Sequence, residues 1–203
     1  MDFELTEEQL ALRELLLRVG REKLAPRAID ADRSGTFDRE AWSLLGELGV
    51  LGLPIAQEYG GSGADVTTCV VAGEALGESG ADGGLLLSWG AHTFLCAATI
   101  QSHGTEEQKK KYLPKLATGE WIGCMGLTEP GAGSDAASLR TRARQEGDGW
   151  RLDGSKIFIT NGPIADVAVV FATADPSLGH EGLCAFIVEK GTEGFSAGKP
   201  LDK

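Results

Sequence analysis

Two short segments carry residue types that could hold a flat, phosphorylated ligand. The first, Leu127-Thr128-Glu129-Pro130-Gly131-Ala132-Gly133-Ser134-Asp135, comes directly after an apolar stretch predicted as a strand over 121–126. Its glycines and small side chains let the backbone come within hydrogen-bond reach of a ligand, and consecutive N–H groups can form an anion-binding nest. Thr128 and Ser134 add hydroxyls. The segment is not a dinucleotide fingerprint, because Gly-Ala-Gly lacks a third glycine at the right spacing and opens no helix of a βαβ unit. The second, Lys156-Ile157-Phe158-Ile159-Thr160-Asn161-Gly162, reads as a strand running into an Asn-Gly turn. Alternation puts Phe158 and Thr160 on one face, where a ring could stack and a hydroxyl could bond a ligand's edge. Taken singly, the first segment is more simply a strand-to-loop turn, and the second a core-packed Phe158 with a turn at Thr160-Asn161-Gly162.

Other reactive side chains are read as scaffold. Cys69, Cys96, Cys124 and Cys184 form no CxxC pair, and His92, His103 and His180 lie near no second ligand at metal spacing, so no metal site is expected. A reduced, cytoplasmic setting is expected from that cysteine usage. It also fits Asp2, Glu4, Glu7 and Glu8, which a targeting segment would lack. His92 reads as a satisfied core histidine, and Lys109-Lys110-Lys111 as a solvated helix face beside Glu106 and Glu107. No Ser/His/Asp or Cys/His arrangement can be argued from sequence order. The formal net charge of −11 repels nucleic acid and anionic membrane, so a phosphate-bearing ligand needs a locally built pocket.

The elements that must position these segments change period along the chain. With 203 residues, 42% of them hydrophobic, one large domain or two small ones fit. Thr6-Glu7-Glu8-Gln9 is a capping box that starts a helix at Glu7, with Leu5 and Leu10 at the staple positions. Leu12, Leu15, Leu16 and Val19 form its stripe, and Pro26 stops or bends the helix beyond them. Asp38 caps a second helix that ends at Gly49, Val66 to Gly77 is a third, and Thr105-Glu106-Glu107-Gln108 opens another. Leu85 to Ile100 reads as a buried helix, shorter and more polar than the roughly 20 apolar residues a bilayer needs. From Trp121 onward the period falls to two. Leu139, Thr141 and Ala143 alternate with arginines before Glu146-Gly147-Asp148-Gly149 turns the chain into 150–153, a hairpin with one wet face. Lys156 to Thr160, Val167 to Phe171 and Leu183 to Val188 are further strands, and no closing strand stands after Gly194.

In combination the motifs are specific. LTEPGAGSD at 127–135, KIFITNG at 156–162, GTEEQKKKYLPKLATGEWIG at 104–123 and LGLPIAQEYGGSG at 51–63 stand in an order that resembles the acyl-CoA dehydrogenase family. That resemblance spans essentially the whole chain. It implies an α+β multidomain protein: an N-terminal all-helical domain over 1–119, then an incomplete β-barrel-like middle domain over 120–203. The family's C-terminal helical bundle is absent from this chain. It further implies FAD as cofactor, an acyl-CoA thioester as substrate, an electron-transfer flavoprotein or similar acceptor as partner, and a homotetramer when complete.

By motif, the resemblance places Met125, Gly126, Leu127, Thr128, Gly133 and Ser134 along the flavin, with the main chain at Leu127 and Thr128 at its pyrimidine edge. Ser134 would also meet the CoA portion of the substrate. Phe158, Ile159 and Thr160 would line the ring, Phe158 by stacking and Thr160 by a hydrogen bond on the N5 side. Met125 stands where many relatives have an aromatic, and Phe158 where many have Trp. The family's reaction is α,β-dehydrogenation, in which a carboxylate removes the α proton as hydride leaves the β carbon. That carboxylate belongs to the C-terminal bundle, so no catalytic base is expected in this chain. Two rival expectations are a non-catalytic binding or assembly module complete at Lys203, and an acyl-CoA oxidase or flavin monooxygenase built on the same domains.

Overall fold

Thr6 starts the first helix, α1 (Glu7–Val19), through the expected capping box. Its hydroxyl accepts the Gln9 N–H at 3.2 Å, and the Gln9 amide oxygen accepts the Thr6 N–H at 3.0 Å. In this computed structural model, which describes residues 4–200, the chain divides into two compact units, Met1–Glu120 and Trp121–Lys203. The helix does not stop at Pro26. It runs on through a π-helical turn, Gly20–Leu24, into α2 (Ala25–Ser34), where Pro26 occupies the first turn. A proline there needs no N–H, and the wider turn ahead of it absorbs the ring, so the expected break becomes a change of hydrogen-bond register. Asp38 caps α3 (Arg39–Glu47) and Asp65 caps α4 (Val66–Glu78). The buried Gln9 donates to Thr68 Oγ1 at 3.1 Å and so ties α1 to α4.

The apolar helix is longer than its composition suggests. α5 (Gly83–Gly90), a π-helical turn (Ala91–Ala97) and α6 (Ala98–His103) make 21 continuous residues, apolar over most of their length. By length and composition that run is enough to cross a membrane, which corrects the expected shortfall. Within its unit it packs as a core helix. Trp89 Nε1 donates to the Val50 carbonyl at 3.1 Å and the Thr93 hydroxyl to the Leu51 carbonyl at 3.0 Å. His92 Nε2–H donates to the Leu116 carbonyl of α7 (Glu106–Thr118) at 2.9 Å, with its ring edge-on to Trp42. Burial pushes the His92 imidazole down to about 4, so it is neutral at pH 7 and serves as a core residue.

The second unit is a mixed sheet built around β4 (Val167–Thr173), an apolar run that is buried along almost its whole length. β1 (Gly123–Gly126) lies parallel to its first half, Gly123 opposite Val167 and Gly126 opposite Val170. β5 (Leu183–Glu189) pairs antiparallel along its other edge. β2 (Arg142–Glu146) joins it at Thr173 and forms the expected hairpin with β3 (Gly149–Asp153) across Gly147-Asp148. Both faces of the hairpin are mostly exposed, with only Ala143 buried on β2. β1 stands at the edge of the sheet against β4, and its carboxyl end runs directly into the glycine-rich loop.

Candidate functional site

That loop is closed on itself at its start. The Glu129 N–H donates to the Ala132 carbonyl at 2.9 Å and the Ala132 N–H to the Glu129 carbonyl at 3.1 Å, which pinches Pro130-Gly131 into a tight turn. Beyond the pinch, Gly133 and Ser134 are exposed, and a Cβ built on Gly131 or Gly133 would meet nothing. The N–H groups of Gly133 and Ser134, and both the N–H and hydroxyl of Thr128, take no hydrogen bond among the described residues. They are available donors, as an anion-binding loop requires.

Residues 156–160 correct the sequence reading, because they are not a strand. Phe158 has φ of +59°, a left-handed conformation that breaks any ladder and separates Phe158 from Thr160, so the expected shared face does not exist. The cause is long-range. The Ile157 N–H donates to the Thr128 carbonyl at 2.9 Å, and Asn161 Nδ2 donates to the Gly123 carbonyl at 3.1 Å. The segment is thereby fastened beside β1 at both ends, and the backbone between has to turn. Ile159 is carried inward against Cys124, Ala168 and Val170, while Phe158 is turned outward and is 70% exposed. Met125, Leu127, Thr128 and Thr160 are half-buried, and Gly126 is buried with its Cα facing the Lys156 stem. The structure therefore brings Leu127 and Thr128 directly against 156–157. It leaves Gly133 and Ser134 in the open part of the loop.

Between the two segments sits a pair that the motif reading missed. Lys156 Nζ donates to Glu129 Oε1 at 2.7 Å and to the Leu127 carbonyl at 3.0 Å. Their side chains are 10% and 7% exposed. Glu129 also accepts from the Arg140 N–H at 2.6 Å, the Thr141 N–H at 2.9 Å and the Thr141 hydroxyl at 2.5 Å. Burial alone pushes the Glu129 carboxyl up, but the hydrogen bonds from Lys156, Thr141 and Arg140 outweigh it and hold the pKa at about 2. Gly154 makes room for this, since a Cβ there would fall 2.7 Å from the Thr141 Cα. One signal is present in the sequence. Glu129 is the single charge in 121–134 and Lys156 the single charge in 154–165, opposite in sign within apolar and small residues.

The profile of the acyl-CoA dehydrogenase N-terminal domain matches residues 6–120, and that of the acyl-CoA dehydrogenase middle domain matches residues 124–203. A short-chain specific acyl-CoA dehydrogenase of Clostridium acetobutylicum is 47% identical over 203 residues, which are 100% of this chain and 53% of that protein. The structure of butyryl-CoA dehydrogenase from Megasphaera elsdenii matches with a TM-score of 0.93 at 44% identity, covering 100% of this chain and 54% of that one. A structure of PigA with FAD and proline matches with a TM-score of 0.95 at 35% identity, covering 100% and 53%. The chain thus spans about half the length of the relatives it matches.

Proposed function

Since the chain belongs to the acyl-CoA dehydrogenase family, we propose that it supplies the flavin-holding part of an FAD-dependent enzyme that oxidises an acyl-CoA thioester between Cα and Cβ. One observation carries this reading. The two motif segments, 27 residues apart at Glu129 and Lys156, are locked side by side by a buried ion pair while their unpaired donors and an aromatic ring stay accessible. The donor set suits FAD. The main chain at Leu127 and Thr128 would meet the pyrimidine edge, Phe158 would lie on the ring, Thr160 would bond its N5 side, and Ser134 would bond the CoA portion. Phe158 strengthens the case, because an exposed aromatic has no packing reason to keep a left-handed backbone.

When bound there, FAD would supply the hydride acceptor. The chain's own contribution is to hold N–H donors where negative charge gathers on the pyrimidine edge and to orient the ring through Phe158 and Thr160. Glu129 is not the base that takes the α proton. It faces four hydrogen bonds, and at a pKa of about 2 it has little affinity for a proton. That role falls to a carboxylate outside this chain. An electron-transfer flavoprotein is the acceptor we expect for the reduced enzyme.

The test is anaerobic. The protein that carries this chain, incubated with FAD, should hold the flavin through gel filtration and lose its visible absorption on addition of butyryl-CoA or isovaleryl-CoA. Failure to take up FAD, or retention of full absorption with every acyl-CoA tried, overturns the reading. Thr160→Ala should slow that bleaching by about tenfold to a hundredfold while acyl-CoA binding changes little, because the lost bond strengthens as N5 gains electrons. A second reading, favoured by the relative whose structure holds FAD and proline, is a proline-derived substrate. Bleaching by that compound and not by acyl-CoA would select it.

A further inference from the structure

Leu127 and Thr128 are fastened through their carbonyls to consecutive residues. Lys156 Nζ takes the first at 3.0 Å, and the Ile157 N–H takes the second at 2.9 Å. Gly126 lets the lysine stem lie against the strand end, since a Cβ there would come within 3.3 Å of Lys156 Cγ. A purely structural ion pair would need only Glu129, yet the ammonium divides its donors between the carboxylate and the main chain.

From this division we infer that Lys156 is a positioning residue with an electronic effect: its ammonium polarises the Leu127–Thr128 peptide and makes the Thr128 N–H a stronger, fixed donor toward the flavin. The inference rests on the flavin reading given above. A peptide group is one conjugated unit, so a cation on its oxygen draws density from its nitrogen, and the N–H on the far side becomes the better donor. Hydrogen bonds in series strengthen one another in this way by roughly 10–30% each, and a charged donor adds more than a neutral one. Glu129 keeps the cation in place, because a lone buried ammonium would be driven to water. Thr141 and the Arg140 N–H keep Glu129 in place in turn. The stronger donor should favour reduced flavin, which carries more negative charge at its pyrimidine edge, over oxidised flavin.

The experiment compares the FAD-loaded protein with Lys156→Met, and with Glu129→Met/Lys156→Met in case the single variant fails to fold. The readouts are the two-electron potential by spectroelectrochemistry, the FAD dissociation constant and the melting temperature. In both variants the potential should fall and the dissociation constant should rise on the order of tenfold. In the double variant those changes should persist although the melting temperature returns toward that of the parent, since an apolar pair of similar volume often replaces a buried ion pair without loss. A potential equal to the parent's in a variant that holds FAD overturns the inference and leaves the flavin reading standing. Recovery of potential together with stability in the double variant also overturns it, because the pair is then merely structural. A parent protein that takes up no FAD overturns both.

Discussion

The two units treat buried polarity in opposite ways. In the helical unit, Trp89, His92 and Thr93 each end on a main-chain carbonyl of a neighbouring segment, and each is neutral at pH 7. In the β unit, Glu129 and Lys156 are buried as charges. A neutral donor on a carbonyl costs little to bury, and once satisfied it has nothing left to offer a ligand. A buried ion pair costs several kcal/mol per ion to desolvate and is weak evidence for stability. Its place at the junction of the two strand-end segments therefore teaches that geometry, and not stability, is what the pair secures. The helical unit uses polar groups to hold a helix in a core; the β unit uses them to hold two loops in register.

Glu129→Ala is the hardest blow this contrast can receive. It leaves the Lys156 ammonium buried without its carboxylate, and the loss should be about 3–5 kcal/mol in the β unit. His92→Ala also leaves a cavity, but as a polar loss it strands the Leu116 carbonyl, a neutral acceptor, at about 1–3 kcal/mol. Denaturant unfolding followed by hydrogen exchange, reading β1 and β4 against α5 and α7, separates the two. A cost below about 1 kcal/mol for Glu129→Ala would mean that the ammonium reaches water freely, and the contrast would be lost.

Legibility in the sequence tracks the range of the interactions concerned. The capping boxes at Thr6 and Thr105 close within three residues, so both partners are visible in one window, and both form as expected. The 142–153 hairpin is equally local, its register fixed by the two-residue turn at Gly147-Asp148. The places where sequence and structure part are decided from far away. The backbone at Phe158 is bent by ties from Ile157 to Thr128 and from Asn161 to Gly123, so the strand periodicity over 156–160 is genuine but overruled. Pro26 and the Leu85–Ile100 stretch are judged by composition alone, and π-helical turns let helices run past the limits that composition sets. Glu129 lies inside a specific motif, yet its partner stands 27 residues on, and only the fold shows that the carboxylate is structural.

Acid titration sharpens the same contrast with a slightly smaller effect. His92 has a folded pKa near 4 against an ordinary 6.5, so the unfolded chain takes up its proton first. The stability it carries is complete above about pH 6.5 and is lost as pH falls to 4, on the order of 3 kcal/mol. Glu129 has a folded pKa near 2 against an ordinary 4.5, so its contribution is complete above about pH 4.5 and drains as pH falls toward 2, again on the order of 3 kcal/mol. The helical unit should therefore lose exchange protection at higher pH than the β unit does. His92→Gln, which keeps a donor for Leu116, should flatten the step between pH 6.5 and 4 and leave the lower one. A single transition shared by both units, unaltered by His92→Gln, would refute the assignment.

Phe158→Gly is the smallest and most diagnostic change. Glycine reaches positive φ without the penalty of roughly 1–2 kcal/mol that an L side chain meets there. Phe158 is 70% exposed, so little burial is forfeited when the ring goes. Against that gain stands the extra freedom glycine confers on the unfolded chain, of order 0.5–1 kcal/mol, so the β unit should be unchanged or more stable by about 1 kcal/mol. FAD affinity should nevertheless fall, since the ring supplies stacking area and the stem does not. A stabilised variant with weakened flavin binding would show that the left-handed backbone is kept for the ligand. A destabilised one would show that Phe158 packs after all, and the division between a core-building helical unit and a site-building β unit would have to be drawn elsewhere.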